Sequence, residues 1–184
     1  MMLSAGFLPS EPVIEELREL TGRLGVMGMT PVPPDHLYVL ITRFGNLTED
    51  VGTRLARALA SELADAPRAE VRFGAPRMTV SGEVVVGLEG DLETVWDLAR
   101  AVPMIAEHRR LYVDRRVFRP ELVLASSTLD PGSPIVERLL AGTAHWSSRA
   151  WETDGISLMR TRWQAGDDRS EEFLFIPFSE RVSS

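Results

Sequence analysis

Pro33-Pro34-Asp35-His36-Leu37-Tyr38-Val39-Leu40 and Val117-Phe118-Arg119-Pro120-Glu121-Leu122-Val123-Leu124 are two versions of one pattern. Each sets proline just before an apolar, β-prone run. Alternate residues of a strand share a face, so Tyr38, Leu40 and Thr42 are predicted on one face, and Glu121, Val123 and Ala125 on another. Tyr38 and Glu121 lie 83 residues apart in a chain of 184. A strand repeated half a chain away predicts two related lobes with a cleft between them. The motif strands are predicted over 37–44 and 117–125.

Outward from these strands, helices and strands alternate. Leu3 to Leu8 reads as a strand stopped by Pro9. Ser10 and Pro12 then open a helix with Val13, Leu17, Leu20 and Leu24 on its buried stripe and Gly25 at its end. Thr48 caps a second helix, with Leu55 and Leu59 inward, and Asp91 opens a third that Pro103 ends or kinks. Three strands, 69–73, 77–80 and 84–88, lie between those helices. Leu111 to Val113 reads as a further strand, and Ser133-Pro134 opens a fourth helix that Gly142 stops. Two closing strands, 151–162 and 172–176, flank a polar loop from Gln164 to Ser170. The class is α+β, a single bilobal domain over 1–184.

Composition narrows the chemistry. With 44% hydrophobic and 26% charged residues, the chain is an ordinary globular sequence and not a disordered or collagenous one. It holds no cysteine, which excludes disulfides, thiolate metal sites and thiol nucleophiles. All 20 basic residues are arginine, so no lysine Schiff base or P-loop lysine can form. Arginine in place of lysine is what a GC-rich bacterial genome would encode. The net charge of −7 argues against broad nucleic-acid binding, while leaving room for a local basic pocket. No segment is long and apolar enough for a membrane span, and Met1 to Phe7 lacks the basic start of a signal peptide, so a cytoplasmic location is expected. His36, His108 and His145 are far apart and no carboxylates stand at ligand spacing, so neither a metal nor a cofactor is expected.

In order along the chain, several segments resemble one family, the two-histidine phosphoesterases, specifically the bacterial 2′-5′ RNA ligase and RNA 2′,3′-cyclic phosphodiesterase group. Leu3 to Pro9 is similar to the family's first strand and its proline. Val32-Pro33-Pro34-Asp35-His36-Leu37 resembles its first motif region, Val84 to Leu88 its central strand, and Phe118-Arg119-Pro120 its second motif region. Ile156 to Arg160 and Phe175 to Phe178 resemble its closing hairpin. The resemblance implies a bilobal fold with pseudo-two-fold symmetry, antiparallel sheets around a central cleft and helices outside. It also implies RNA or a nucleotide as a ligand.

The family's signature, His-x-Thr or His-x-Ser once per lobe, is absent. Tyr38-Val39-Leu40 stands at the first motif and Glu121-Leu122-Val123 at the second. His36 sits two residues early; a slip by two would keep its face, but the second histidine would still be missing. Imidazole suits acid–base work near neutrality, and each lost acid or base costs ~10²–10⁴ in rate. Phosphodiesterase activity is therefore expected to be lost.

What remains is a carboxylate and a phenol in a cleft with an apolar floor of Leu40 and Val123. One reading makes the protein a cofactor-free enzyme for a small, largely apolar substrate, with Glu121 as base or anchor and Tyr38 as acid or donor. Isomerisation, cyclisation or elimination would fit it. The substrate-binding residues would be His36, Leu40, Thr42, Arg119 and Val123. The other reading makes it a non-catalytic binding module for a nucleotide or other small ligand. The arginine-rich stretch from His108 to Arg119 could hold phosphate or lie solvated on the surface, and Arg119 is placed to pair with Glu121 or an anionic ligand.

Overall fold

A computed structural model describes residues 1–164 and 166–179. In chain order the elements are β1 (Met2–Phe7), α1 (Glu11–Val26), β2 (Thr30–Pro31), a 3-10 turn (Pro34–His36), β3 (Val39–Asn46) and α2 (Glu49–Glu62). Then come β4 (Glu70–Phe73), β5 (Arg77–Met78), β6 (Glu83–Gly90), α3 (Leu92–His108) and β7 (Glu121–Ser126). The chain closes with α4 (Pro134–Ala141), β8 (Trp151–Glu152), β9 (Gly155–Gln164) and β10 (Asp167–Pro177).

Two antiparallel sheets result. One has the order β10-β9-β1-β3, and the other β2-β7-β6-β4-β8 with β5 beside β6. Helix α1 packs on β2 and β7 of the second sheet, and α2 on β10 and α3 on β3 of the first, so both sheets carry helices. The amphipathic stripes explain this: Val13, Leu17, Leu20 and Leu24 of α1, and Leu55 and Leu59 of α2, are buried. The two motif strands, β3 and β7, approach each other where the sheets meet. No helix among the described residues is long and apolar enough to cross a membrane.

Local chemistry sets most helix starts. Thr48, Asp91 and Ser133 each accept a hydrogen bond from a first-turn amide, those of Val51, Thr94 and Val136. Ser10 occupies the cap of α1 without a side-chain bond.

Several boundaries differ from the sequence expectation. Helix α1 passes Gly25 and ends after Val26, because the left-handed turn falls on Gly28 at φ +88°. Helix α3 runs through Pro103 to His108, its packed apolar stripe outweighing one missing amide donor. Strand β3 starts at Val39 and β7 at Glu121, so Tyr38 and residues 117–120 lie outside the strands. Leu111 to Val113 is not a strand, and β5 is two residues long. The Gln164–Ser170 segment is mostly paired strand: Asp167 stands opposite Gln164, and the Thr161 and Ser170 hydroxyls bond at 2.8 Å. Residue 165 lies outside the described residues.

Candidate functional site

Strand β3 is not evenly pleated. Ala5 pairs with Thr42 and Gly6 with Leu40, so Ile41 is an extra residue that bulges the strand. As a result four consecutive residues, Leu40 to Arg43, line one cleft, which a regular alternation would not allow. Across from them stand Glu121 and Val123 of β7. The connection from Asp114 to Arg119 closes one side, and the cavity measures about 510 Å³. Phe118 at its rim is braced edge-on by Trp96 of α3, with ring centroids 5.1 Å apart.

The cleft walls carry two matching charge clusters. Glu121, with 13% of its side chain exposed, pairs with Arg77 from β5 and, at 3.8 Å, with Arg119. Gly87 opposite Glu121 on β6 has no side chain to separate these partners. On the other wall Asp114, 19% exposed, lies 3.8 Å from Arg43 and 3.5 Å from the Arg116 guanidinium. One Asp114 carboxylate oxygen also accepts the Arg116 amide at 3.2 Å. The connection is stitched to β3 by two bonds: the Asp114 amide donates to the Arg43 carbonyl at 2.9 Å, and the Thr42 hydroxyl donates to the Asp114 carbonyl at 3.3 Å. Each of these two carboxylates is thus flanked by two arginines; the cleft lining itself sets Arg43, Arg116 and Arg119 against three carboxylates, and Arg77 reaches Glu121 from outside that lining. An arginine has five N–H donors, and one shared carboxylate occupies few of them. Glu83 at the margin is the remaining acid in the lining.

The structure therefore gathers Leu40, Thr42, Arg119, Glu121 and Val123 in one cleft. It does not bring Tyr38 or His36 to Glu121. Both line a separate recess of about 260 Å³ with Ser4, Trp163 and Asp168. The Tyr38 ring lies over Gly6, where a Cβ would come within 2.6 Å of it, and its phenol meets the Ser4 hydroxyl at 3.3 Å. The cause is the chain direction at 36–38: the Tyr38 amide donates back to the His36 carbonyl, a turn that takes Tyr38 off the strand. Glu121 also differs from the expected carboxylate among apolar walls, since two guanidiniums hold it.

Sequence reasoning missed Arg43, Arg77 and Asp114 as site residues. Arg77 is 44 positions from Glu121 and reaches it only through the β5–β6–β7 pairing. No spacing signal along the chain marks such a partner. Among the described residues, no cluster of three or more His, Cys, Asp or Glu side chains could hold a metal ion.

No protein-family model and no curated protein sequence matches the chain. Solved structures do. Escherichia coli LigT in complex with 3′-AMP superposes with a TM-score of 0.73 at 16% identity, covering 97% of this chain and 98% of that one. TT0787 of Thermus thermophilus gives 0.65 at 20% identity over 96% and 97%. A structure described as a phosphoesterase gives 0.72 at 15% identity over 97% and 98%. At these identities the likeness establishes the fold: this chain has the two-sheet α+β architecture of the LigT and phosphoesterase structures along nearly its whole length.

Proposed function

We propose that the protein is a divergent two-histidine phosphoesterase whose cleft binds a small phosphate-bearing or carboxylate-bearing ligand without hydrolysing it. The observation that carries this reading is the pair of arginine–carboxylate–arginine clusters, in which four guanidiniums share Glu121 and Asp114 and keep N–H donors to spare. Arginine's planar fork matches phosphate and carboxylate oxygens. The fold is compatible with such a ligand, because LigT has been solved with 3′-AMP, NADP+, ATP and phosphate. A contiguous core running through both sheets supports treating the chain as one bilobal domain around that cleft.

Two features weigh against acid–base catalysis in the cleft. Tyr38 lines the neighbouring recess, so Glu121 has no phenol partner, and both Glu121 and Asp114 are held in ion pairs. No histidine stands among the described residues lining the cleft. Without a residue poised to take or give a proton near neutral pH, a bound phosphodiester stays intact.

Calorimetric titration with pyrophosphate tests the reading. Binding is expected, weakened about tenfold or more in Arg116→Ala and Arg119→Ala, with a charge-assisted hydrogen bond worth roughly 1.5–3 kcal/mol. A 2′,3′-cyclic nucleotide incubated with the protein is expected to be recovered unchanged. Absence of binding, or turnover of the cyclic nucleotide at an enzymatic rate, would sink the proposal.

A further inference from the structure

Charge is unevenly spread along this chain. Residues 109–119 hold five arginines and one acid, Asp114, a net of +4 in a protein of net −7. Arg110 and Arg115 in this segment are exposed and, among the described residues, form no ion pair. Arg110 also stands at φ +60°, so backbone strain is tolerated at an arginine that the fold leaves without an ion-pair partner among the described residues.

Apolar side chains stand among these arginines. Tyr112 and Val117 in the segment and Met104 on α3 are more than half exposed, and Val80, in the turn between β5 and β6, is fully exposed. Single exposed apolar residues are ordinary, but these four follow one rim. Val80 borders a hollow with Arg119, and Val117 borders the cleft with Arg119 and Arg116. Met104 borders a groove with Arg116 and Arg115, and Tyr112 a further hollow with Arg115 and Arg110. Each cavity shares an arginine with the next. Of the acids along the rim, Glu121 and Asp114 are held between arginines, Glu107 faces Arg110 and Arg115, and Glu83 lies at the cleft margin.

Arginines interleaved with exposed apolar side chains suit a membrane surface. Guanidiniums take phosphate headgroups while their methylene stems lie along apolar surface. Valine and methionine side chains leave water for the acyl boundary, and a tyrosine sits at the headgroup level. Single-stranded nucleic acid also meets arginines, but its bases need flat aromatic faces, and three of the four exposed apolar side chains here are not aromatic. A protein of net −7 is repelled by an anionic surface except where such a local basic segment faces it. We propose that this rim docks on an anionic lipid bilayer, with its arginines at the headgroups and Val80, Met104, Tyr112 and Val117 in the interfacial layer. The protein then lies on the membrane with the cleft beside the headgroups, since Arg116, Val117 and Arg119 also line the cleft. The proposal does not depend on what the cleft holds.

Co-sedimentation with vesicles of equal parts phosphatidylglycerol and phosphatidylcholine, against vesicles of phosphatidylcholine alone, tests it. Binding to the anionic vesicles is expected, about tenfold or more weaker to the neutral ones, and weakened by added salt. Arg110→Gln combined with Arg115→Gln should weaken it about 25-fold, at roughly fivefold per arginine near an anionic surface. Val80→Ser combined with Tyr112→Ser should weaken it about tenfold by removing apolar surface that enters the interface. All four side chains are exposed, so both variants should keep the unfolding midpoint of the wild type. Equal binding to the two kinds of vesicle, or vesicle binding that either double variant leaves intact, overturns the proposal. Binding to neither vesicle overturns it too; an oligoribonucleotide that then binds, and loses affinity in the arginine variant, would assign the rim to nucleic acid.

Discussion

Glu121→Gln separates a carboxylate that tempers two arginines from one that does chemistry. The amide keeps the shape and still accepts a hydrogen bond, but the cluster it forms with Arg77 and Arg119 changes from a net +1 to a net +2. The Arg119–Glu121 pair spans 3.8 Å. A phosphate taken up by the other donors of Arg119 would then sit roughly 6 Å from the Glu121 carboxylate, where unit charges repel by about 0.7 kcal/mol in water and about 2.8 kcal/mol at an effective dielectric of ~20. Arg77 and Arg119 are more than half exposed, which favours the lower part of that range. Taking about 1 kcal/mol per unit charge, pyrophosphate should bind Glu121→Gln roughly 5–30-fold more tightly than wild type. Calorimetric titration at two ionic strengths measures this. The gain should shrink at the higher salt, because exposed charges are screened over about 10 Å at 0.1 M. The unfolding midpoint should move little, since the amide still accepts a hydrogen bond from Arg77 and both guanidiniums are more than half exposed. Weaker binding in the variant would refute the reasoning, because Glu121 would then be accepting a hydrogen bond from the ligand. Loss of a wild-type turnover would refute it too, because Glu121 would then be an acid or base.

Three further predictions concern the frame around the site. Gly155→Ala would place a Cβ 2.3 Å from the Ile176 carbonyl and 2.6 Å from the Phe175 ring, inside the β9–β10 pairing. The loss should exceed about 2 kcal/mol, lowering Tm by roughly 4–8 °C; an unchanged midpoint would show that the hairpin yields. Arg110 closes α3 at φ +60°, with its amide on the Glu107 carbonyl and the Leu111 amide on that of Ala106. Arg110→Gly should therefore stabilise by about 1 kcal/mol, read as a raised denaturant midpoint. Asp91→Ala removes the acceptor of the Thr94 amide and should cost about 1 kcal/mol in the same assay, with Asp91→Ser restoring most of it.

Much of this protein was legible in its sequence, and the legible parts are those set by near neighbours. The stripe of α1, the caps at Thr48, Asp91 and Ser133, and the apolar runs of β3 and β7 each depend on residues a few positions apart. The proline-led echo went further, because two strands with the same pattern half a chain apart face each other across the cleft. That placed Leu40, Thr42, Arg119, Glu121 and Val123 in one cavity.

Tertiary structure decided the rest. The extra residue at Ile41 comes from how β3 registers with β1 and puts Leu40 to Arg43 into the cleft, while the turn at 36–38 sends Tyr38 to the recess. The pairing of Arg77 with Glu121 requires β5, β6 and β7 to lie side by side. Sequence periodicity encodes which face of an element is apolar, whereas the partner of a charged side chain is set by packing between elements distant along the chain. The apolar floor and the carboxylate were written locally, and the arginines that turn them into a site for an anion came together only on folding.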